Sequence, residues 1–232
     1  IMFTSGTTGT PKGVMLTHTN LVSNLHAIRE YIPGRHDDRL VSILPLSHMY
    51  EQMGGLLVAL GAGSNVTYQT NLQPATLFKT LQDRQATMLL LVPQVMDMFM
   101  TGIEREVKRQ GREKAWARMT AISGKLPFWA RRVLFRQVHQ RLGGRLRFII
   151  SGGAALDPAL GEKWERLGVR IVQGYGATEA SPVISSHSTA NPRFDSAGLP
   201  VRSLDVRIAS DGEIQVRGPN VTPGYWEDSV QT

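Results

Sequence analysis

The sequence predicts an α/β fold, a largely parallel sheet flanked by helices, with a β-rich unit starting near the C-terminal end. Three observations predict it. Short apolar runs alternate with stretches of helical periodicity from Leu40 to about residue 195. Two of those runs pass directly into glycine-rich turns, Ser151-Gly152-Gly153-Ala154 and Gln173-Gly174-Tyr175-Gly176, as strands do at the ligand-facing edge of an open sheet. From about Ser196 the texture changes to short alternating strands around Asp211-Gly212, a hairpin signal.

In chain order, residues 1–3 and 14–16 read as short strands on either side of a loop rich in glycine and hydroxyls. Thr17 caps a helix over about 18–31, where Leu21, Leu25 and Ile28 recur at helical spacing. Residues 40–44 form a buried strand that Pro45 ends. Residues 50–61 read as a helix stopped by Gly61 and Gly63, and 65–69 as a strand. A helix over 74–82 precedes a strongly apolar strand, 87–92, closed by Pro93, and 94–109 is again helical. The region that follows continues as helices. In 129–142, Leu134, Phe135, Val138 and Leu142 share one face while Arg131, Arg132, Arg136 and Arg141 lie elsewhere. Residues 147–150 form a strand, Asp157 caps a helix of about 158–166 with Pro158 at its first position, and 169–173 lead into Gly174. Residues 206–209 and 213–217 are the arms of the late hairpin. The expected organisation is an α/β core over 1–195, containing a basic helical region at 104–147, and the start of a β-rich, barrel-like subdomain over 196–232.

Bulk properties bound the function. With 41% hydrophobic and 19% charged residues in 232, the chain has the composition of a globular protein. It has no cysteine, which excludes disulfides, thiolate metal sites and cysteine nucleophiles. No apolar run approaches the ~18–20 residues of a membrane span. A cytoplasmic location is expected, with peripheral membrane contact through the basic helices as a second possibility, and an oligomer stays open. Of the 26 Lys and Arg residues, 13 fall in 104–147, opposed there only by Glu104, Glu106 and Glu113. Such a patch suits anionic lipid headgroups, nucleic acid or a phosphorylated substrate, or is simply a solvated helical surface. No nucleic-acid module or stacking platform is present in the sequence, so nucleic acid is set aside. Ile1 begins inside an apolar stretch and Thr232 follows a turn, so a piece of a longer protein is expected.

Four strings could carry chemistry. In Thr4–Gly13, TSGTTGTPKG, three glycines let backbone amides approach a ligand, five hydroxyls add donors and Lys12 adds a charge. This suits a polyphosphate. It is not a Walker A loop, because Pro11 and Gly13 stand where that pattern requires Gly and Ser or Thr. A glycine-rich hairpin loop is the plain alternative. In Gln173–Glu179, QGYGATE, Tyr175 offers a flat face, Thr178 a hydroxyl for a phosphate oxygen, and Glu179 a hard oxygen ligand that Mg²⁺ accepts beside a triphosphate. A glycine turn with an incidental acid would read the same. Ser151–Ala154 offers a smooth wall for a ring or alkyl chain, or only a tight turn. His48, in LPLSHMYEQ, follows a strand with no carboxylate at a telling spacing.

Together and in this order these strings resemble the adenylate-forming superfamily of acyl-CoA synthetases, firefly-type luciferases and peptide-synthetase adenylation domains. TSGTTGTPKG resembles its pyrophosphate loop, QGYGATE its adenine and Mg²⁺ motif, and GEIQVRGPNVTPGYW at 212–226 its later glycine-rich signature. LPLSHMYEQ, the long basic stretch before SGGAAL, and QGYGATEASPVIS are most similar to bacterial long-chain fatty-acyl-CoA synthetases. The resemblance implies a ligase that forms acyl-AMP from ATP and a carboxylic acid, releases pyrophosphate, and passes the acyl group to coenzyme A. It implies that Thr4, Ser5, Gly6, Thr7, Thr8, Gly9 and Lys12 hold the β- and γ-phosphates, with Thr4 near the metal. Glu179 would bind Mg²⁺ and Thr178 would contact the α-phosphate. Gly153, Ala154, Gln173, Gly174, Tyr175 and Gly176 would frame adenine and the acyl carbon, and His48 would lie near the substrate carboxylate. Some members carry a tryptophan gate four residues beyond this histidine, where Gln52 stands here. The family's Thr-Gly-Asp ribose motif and C-terminal catalytic lysine have no counterpart in these 232 residues, so the isolated segment is expected to be inactive. The rival expectations are an aryl or short-chain ligase, an adenylation domain, or a non-catalytic nucleotide- or membrane-binding module.

Overall fold

The computed structural model describes residues 1–4, 11–190 and 193–232. It opens with an antiparallel pair, β1 (Met2–Thr4) and β2 (Lys12–Val14), and α1 (His18–Tyr31). There follow β3 (Arg39–Ser42), α2 (Met49–Glu51), a π-helical segment (Gln52–Leu57), α3 (Val58–Ala62), β4 (Asn65–Tyr68), α4 (Pro74–Arg84) and β5 (Met88–Leu91). A helical stretch comprises α5 (Pro93–Arg109), α6 (Glu113–Ser123), α7 (Phe128–Leu134) and α8 (Arg136–Arg141). The chain continues with β6 (Phe148–Ser151), α9 (Pro158–Arg166), β7 (Arg170–Gly176), a 3-10 turn (Thr178–Ala180), β8 (Val183–Ser186), β9 (Leu199–Pro200) and the hairpin β10 (Asp205–Ile208) and β11 (Ile214–Arg217).

The central sheet runs β4-β3-β5-β6-β7-β8-β9. The first five strands are parallel, and β8 and β9 are antiparallel additions at one edge. Strand periodicity sorts the apolar residues onto two faces. Val41, Leu89, Leu91, Ile149 and Ile171 pack with α4, α5, α8 and α9. Leu40, Met88, Leu90, Phe148, Ile150 and Val172 pack with α1, α2, α3 and the π-helical segment. Both faces are covered, which is why β5 and β6 are buried at every position and read as continuous apolar runs. Full burial of each such Leu or Ile is worth about 1.5–3 kcal/mol. The chain steps outward from β3 to β4, then back past β3 to β5. The direction of winding therefore reverses between β3 and β5, the place where open α/β sheets leave a crevice.

The α/β expectation holds, with differences of detail. The helix expected over 50–61 is divided, because its middle is a π-helical segment. Glu51 explains the local sequence. It is wholly buried, and a Cβ on Gly55 would collide with Glu51 Oε1, so only glycine leaves room for the carboxyl. The helix expected over 129–142 is two short ones, broken where Phe135 leaves helical backbone (φ −101°, ψ 30°) and packs edge-on to Trp116. β7 runs three residues beyond the strand expected to end at Gln173, because the unforeseen β8 pairs with its extension. The segment from residue 196 begins as β9 of the large sheet before the separate β10–β11 hairpin.

Part of the basic region is used internally. Arg131 Nη1 donates to Glu165 O at 3.1 Å, Arg132 Nη1 donates to Gly168 O at 3.2 Å, and His139 Nε2 lies 2.8 Å from Leu167 O. These side chains hold the C-terminal end of α9, where carbonyls lack helical partners and the helix dipole favours cations. Burial lowers the His139 pKa, so its ring makes that contact in the neutral state. Among the described residues no helix is long and apolar enough to cross a membrane.

Candidate active site

A cavity of about 470 Å³ lies at the C-terminal edge of the parallel strands. Its wall follows from the topology. Leu44, Pro45 and His48 come from the turn after β3, Val92 from the end of β5, and Ser151–Gly153 from the end of β6. Gly174–Ala177 and Thr178 come from the end of β7, and Ile28 and Ile32 of the α1 region close one side. The exposed His48 precedes α2 in extended backbone, and Tyr50 reaches back to donate to Ile150 O at 3.0 Å. Burial, with Glu51 adding, pushes the Tyr50 phenol above its ordinary range, so it remains a donor. Gly152 is the counterpart of that ring. A Cβ there would lie 2.9 Å from Tyr50 Cε2, so alanine would displace the ring from the cavity wall.

Beside the cavity is a polar corner assembled from distant segments. In the β1–β2 pair Thr4 stands directly opposite Lys12, so both flank the intervening loop. Residues 13–15 bond the 224–226 segment: Trp226 N donates to Gly13 O at 2.7 Å and Met15 N to Gly224 O at 3.0 Å. That segment also reaches the 3-10 turn, where Thr222 N donates to Glu179 O at 2.7 Å. Tyr225 Oη donates to Glu179 Oε1 at 2.8 Å, and its ring centroid lies 5.2 Å from Lys12 Nζ. Lys12 Nζ also donates to Gln231 Oε1 at 2.8 Å. Burial first, then the Glu179 contact, push the Tyr225 phenol up to about 12, so it is the donor of that bond.

Two asparagines of α1 complete the frame. Asn20 closes a capping box with Thr17 and donates through Nδ2 to Pro219 O at 2.7 Å and Val221 O at 2.9 Å. Asn24 Nδ2 donates to Val183 O at 2.8 Å. One helix face thus fixes both the signature segment and the turn that carries Glu179.

Of the sequence candidates, His48, Gly153, Gly174, Tyr175, Gly176 and Thr178 line the cavity. Glu179, next to Thr178, belongs to the corner with Thr4 and Lys12. Ala154 and Gln173 lie outside the cavity lining, although Gln173 Oε1 is buried with no hydrogen-bond partner among the described residues. Ser5, Gly6, Thr7, Thr8 and Gly9 lie outside the described residues. Sequence reasoning passed over Tyr50 and Tyr225. Each stands inside a quoted motif, but only the fold shows what its hydroxyl meets.

The corner fits a divalent cation bound together with phosphates. Mg²⁺ beside a polyphosphate takes one or two carboxylates and fills its remaining positions with phosphate and water oxygens. Tyr225 engages only Oε1 of Glu179, and among the described residues no other side chain hydrogen bonds that carboxylate. No cluster of three or more His, Cys, Asp or Glu that could hold a metal ion is present among the described residues.

The family described as AMP-binding enzyme matches residues 1–226. The chain belongs to that family. Long chain acyl-CoA synthetase 6, peroxisomal, of Arabidopsis thaliana is 33% identical over 258 residues, an alignment that covers 100% of this chain and 36% of that protein. The long-chain-fatty-acid–CoA ligase FadD15 of Mycobacterium bovis is 32% identical over 256 residues, covering 100% of this chain and 41% of the ligase. The chain therefore spans well under half the length of these family members. In fold it resembles o-succinylbenzoate coenzyme A synthetase (MenE) from Bacillus subtilis, solved in complex with ATP and magnesium ion. The TM-score is 0.71 at 24% identity, with 98% of this chain and 42% of the synthetase covered.

Proposed function

We propose that this chain forms the nucleotide- and acyl-binding core of an AMP-forming acid–thiol ligase that activates long-chain fatty acids. One observation carries the reading. Thr178 on the wall of a largely apolar cavity and Glu179 in a cation-bearing corner are consecutive residues, so an acyl chain and a polyphosphate would meet at one point of the backbone. The names of the aligned relatives support the lipid substrate and coenzyme A as acyl acceptor.

In the first step a carboxylate oxygen of the acid attacks the α-phosphorus of ATP. The bond to the bridging oxygen breaks, giving acyl-AMP and pyrophosphate. In the second, the coenzyme A sulfur attacks the acyl carbon and AMP departs. Such phosphoryl transfer depends on positioning and on neutralising the oxygens that gain charge. Lys12 supplies a positive charge to the departing pyrophosphate, and Thr178 donates to an α-phosphate oxygen. His48 orients the substrate carboxylate at the cavity mouth, while Tyr175 and the Gly153 backbone flank the nucleotide. Mg²⁺ would be held by Glu179, with Thr4 nearby, and would supply Lewis-acid neutralisation of phosphate oxygens. The apolar residues Ile28, Ile32, Met49, Val92, Ile150 and Val183 would bound the acyl chain and keep water from the adenylate.

The substrate class is tested by acid-dependent exchange of labelled pyrophosphate into ATP with the intact protein. Long-chain fatty acids should support exchange, while amino acids and aryl acids should not. Exchange with amino or aryl acids alone would overturn the lipid assignment.

A further inference from the structure

Tyr225 contacts both Lys12 and Glu179, and a third charged group, Asp228, lines a pocket with Lys12. The tyrosine hydroxyl meets Glu179 Oε1 at 2.8 Å and its ring faces Lys12 Nζ at 5.2 Å. Main-chain bonds fix its place on both flanks, from Met15 N to Gly224 O and from Trp226 N to Gly13 O, so the fold sets the ring position. Among the described residues Lys12 and Glu179 form no ion pair with each other or with a third residue. Both groups contact the same side chain, so without it they would be free to approach each other. A direct pair would spend the ammonium and the carboxylate on one another instead of on a ligand. The aromatic face and the Gln231 side-chain oxygen give the cation neutral partners, and the phenol gives the anion one neutral donor. Each contact steers its group while leaving the charge uncancelled.

We propose that Tyr225 is a positioning residue that keeps Lys12 and Glu179 apart and directs them separately, the ammonium to the polyphosphate and the carboxylate to its divalent cation. This rests on the ATP reading of the site. The two halves of the side chain have separate consequences. Removing only the hydroxyl frees Glu179 to turn away, which affects the cation. Removing the ring as well lets Lys12 and Glu179 close on each other, which affects the phosphates even without metal.

The test is calorimetric binding of ATP to the intact protein, once with excess Mg²⁺ and once with a chelator. Tyr225→Phe should weaken Mg·ATP binding about tenfold, the size of one lost hydrogen bond to a charged group, and leave metal-free ATP binding unchanged. Tyr225→Leu should weaken both. In a Glu179→Gln background, Tyr225→Phe should cost little more, because the group it positions is already gone. Wild-type Mg·ATP affinity in Tyr225→Phe overturns the proposal. So does an equal loss in both arms, which marks a merely structural tyrosine, or a full additional loss on top of Glu179→Gln. If Glu179→Gln itself binds Mg·ATP like wild type, the ATP reading fails. If Glu179→Gln loses binding and Tyr225→Phe does not, only the role given to Tyr225 fails.

Discussion

The two ends of the parallel strands are built in opposite ways. At the N-terminal end, Asp38 is 1% exposed and every bond around it is made. Its carboxylate accepts from Arg147 Nη1 at 2.6 Å, Thr87 Oγ1 at 2.8 Å and Arg35 N at 2.8 Å, while Thr87 Oγ1 accepts from Arg39 N at 2.9 Å. One acid thereby ties together the starts of β3, β5 and β6. At the C-terminal end, Ser42 Oγ, both oxygens of Glu51, Ser151 Oγ and Gln173 Oε1 are buried without a partner among the described residues. Buried polar atoms are ordinarily satisfied; His139 Nδ1 and Trp164 Nε1 are unpartnered elsewhere among the described residues, but this group of five atoms lies at one end. One end stabilises the sheet, and the other holds open, unsatisfied chemistry next to a cavity.

Substitutions at each end would separate these roles. The largest effect is expected from Asp38→Ala, which strips a guanidinium and a hydroxyl of their shared acceptor. About 2–4 kcal/mol of unfolding free energy should be lost in urea denaturation, with Mg·ATP affinity of the folded protein unchanged. A matching loss of affinity would break the division between the two ends.

A smaller, pH-dependent effect is expected from Glu51 beside the cavity. Burial raises its pKa, so the native state holds a proton that the unfolded chain releases near the ordinary carboxylate value. Its contribution to stability is therefore intact below the unfolded value and declines as pH rises through the native one. Glu51→Gln should melt progressively higher than wild type as pH is raised from 5 to 8. A melting difference that stays constant with pH would show that the carboxyl is not held protonated.

The legible parts of this protein are those where chemistry is local. β5 and β6 announced themselves because a strand buried on both faces must be apolar throughout. Thr17 and Asp157 were readable as caps because a side-chain oxygen next to free amides has one obvious use, and both make that bond. The cavity residues at the ends of β6 and β7 are legible because glycine-rich strings follow apolar runs. What escaped depends on tertiary partners. In the π-helical segment, Gly55 leaves the room that the buried Glu51 takes, a fit that only the folded chain shows. β8, half serine, is held as a strand by pairing with β7. Tyr225 gains its meaning from Lys12 and Glu179, which only the folded chain brings to it.

The central claim is that the corner at Lys12 and Glu179 handles the pyrophosphate end of ATP and its cation. Fatty-acid-dependent exchange of pyrophosphate into ATP by the intact protein, compared with Lys12→Ala and Glu179→Ala, tests this most directly. Each substitution should lower the rate at least about tenfold, a rise of ~1.4 kcal/mol in the barrier. Wild-type exchange rates in both variants would contradict the account.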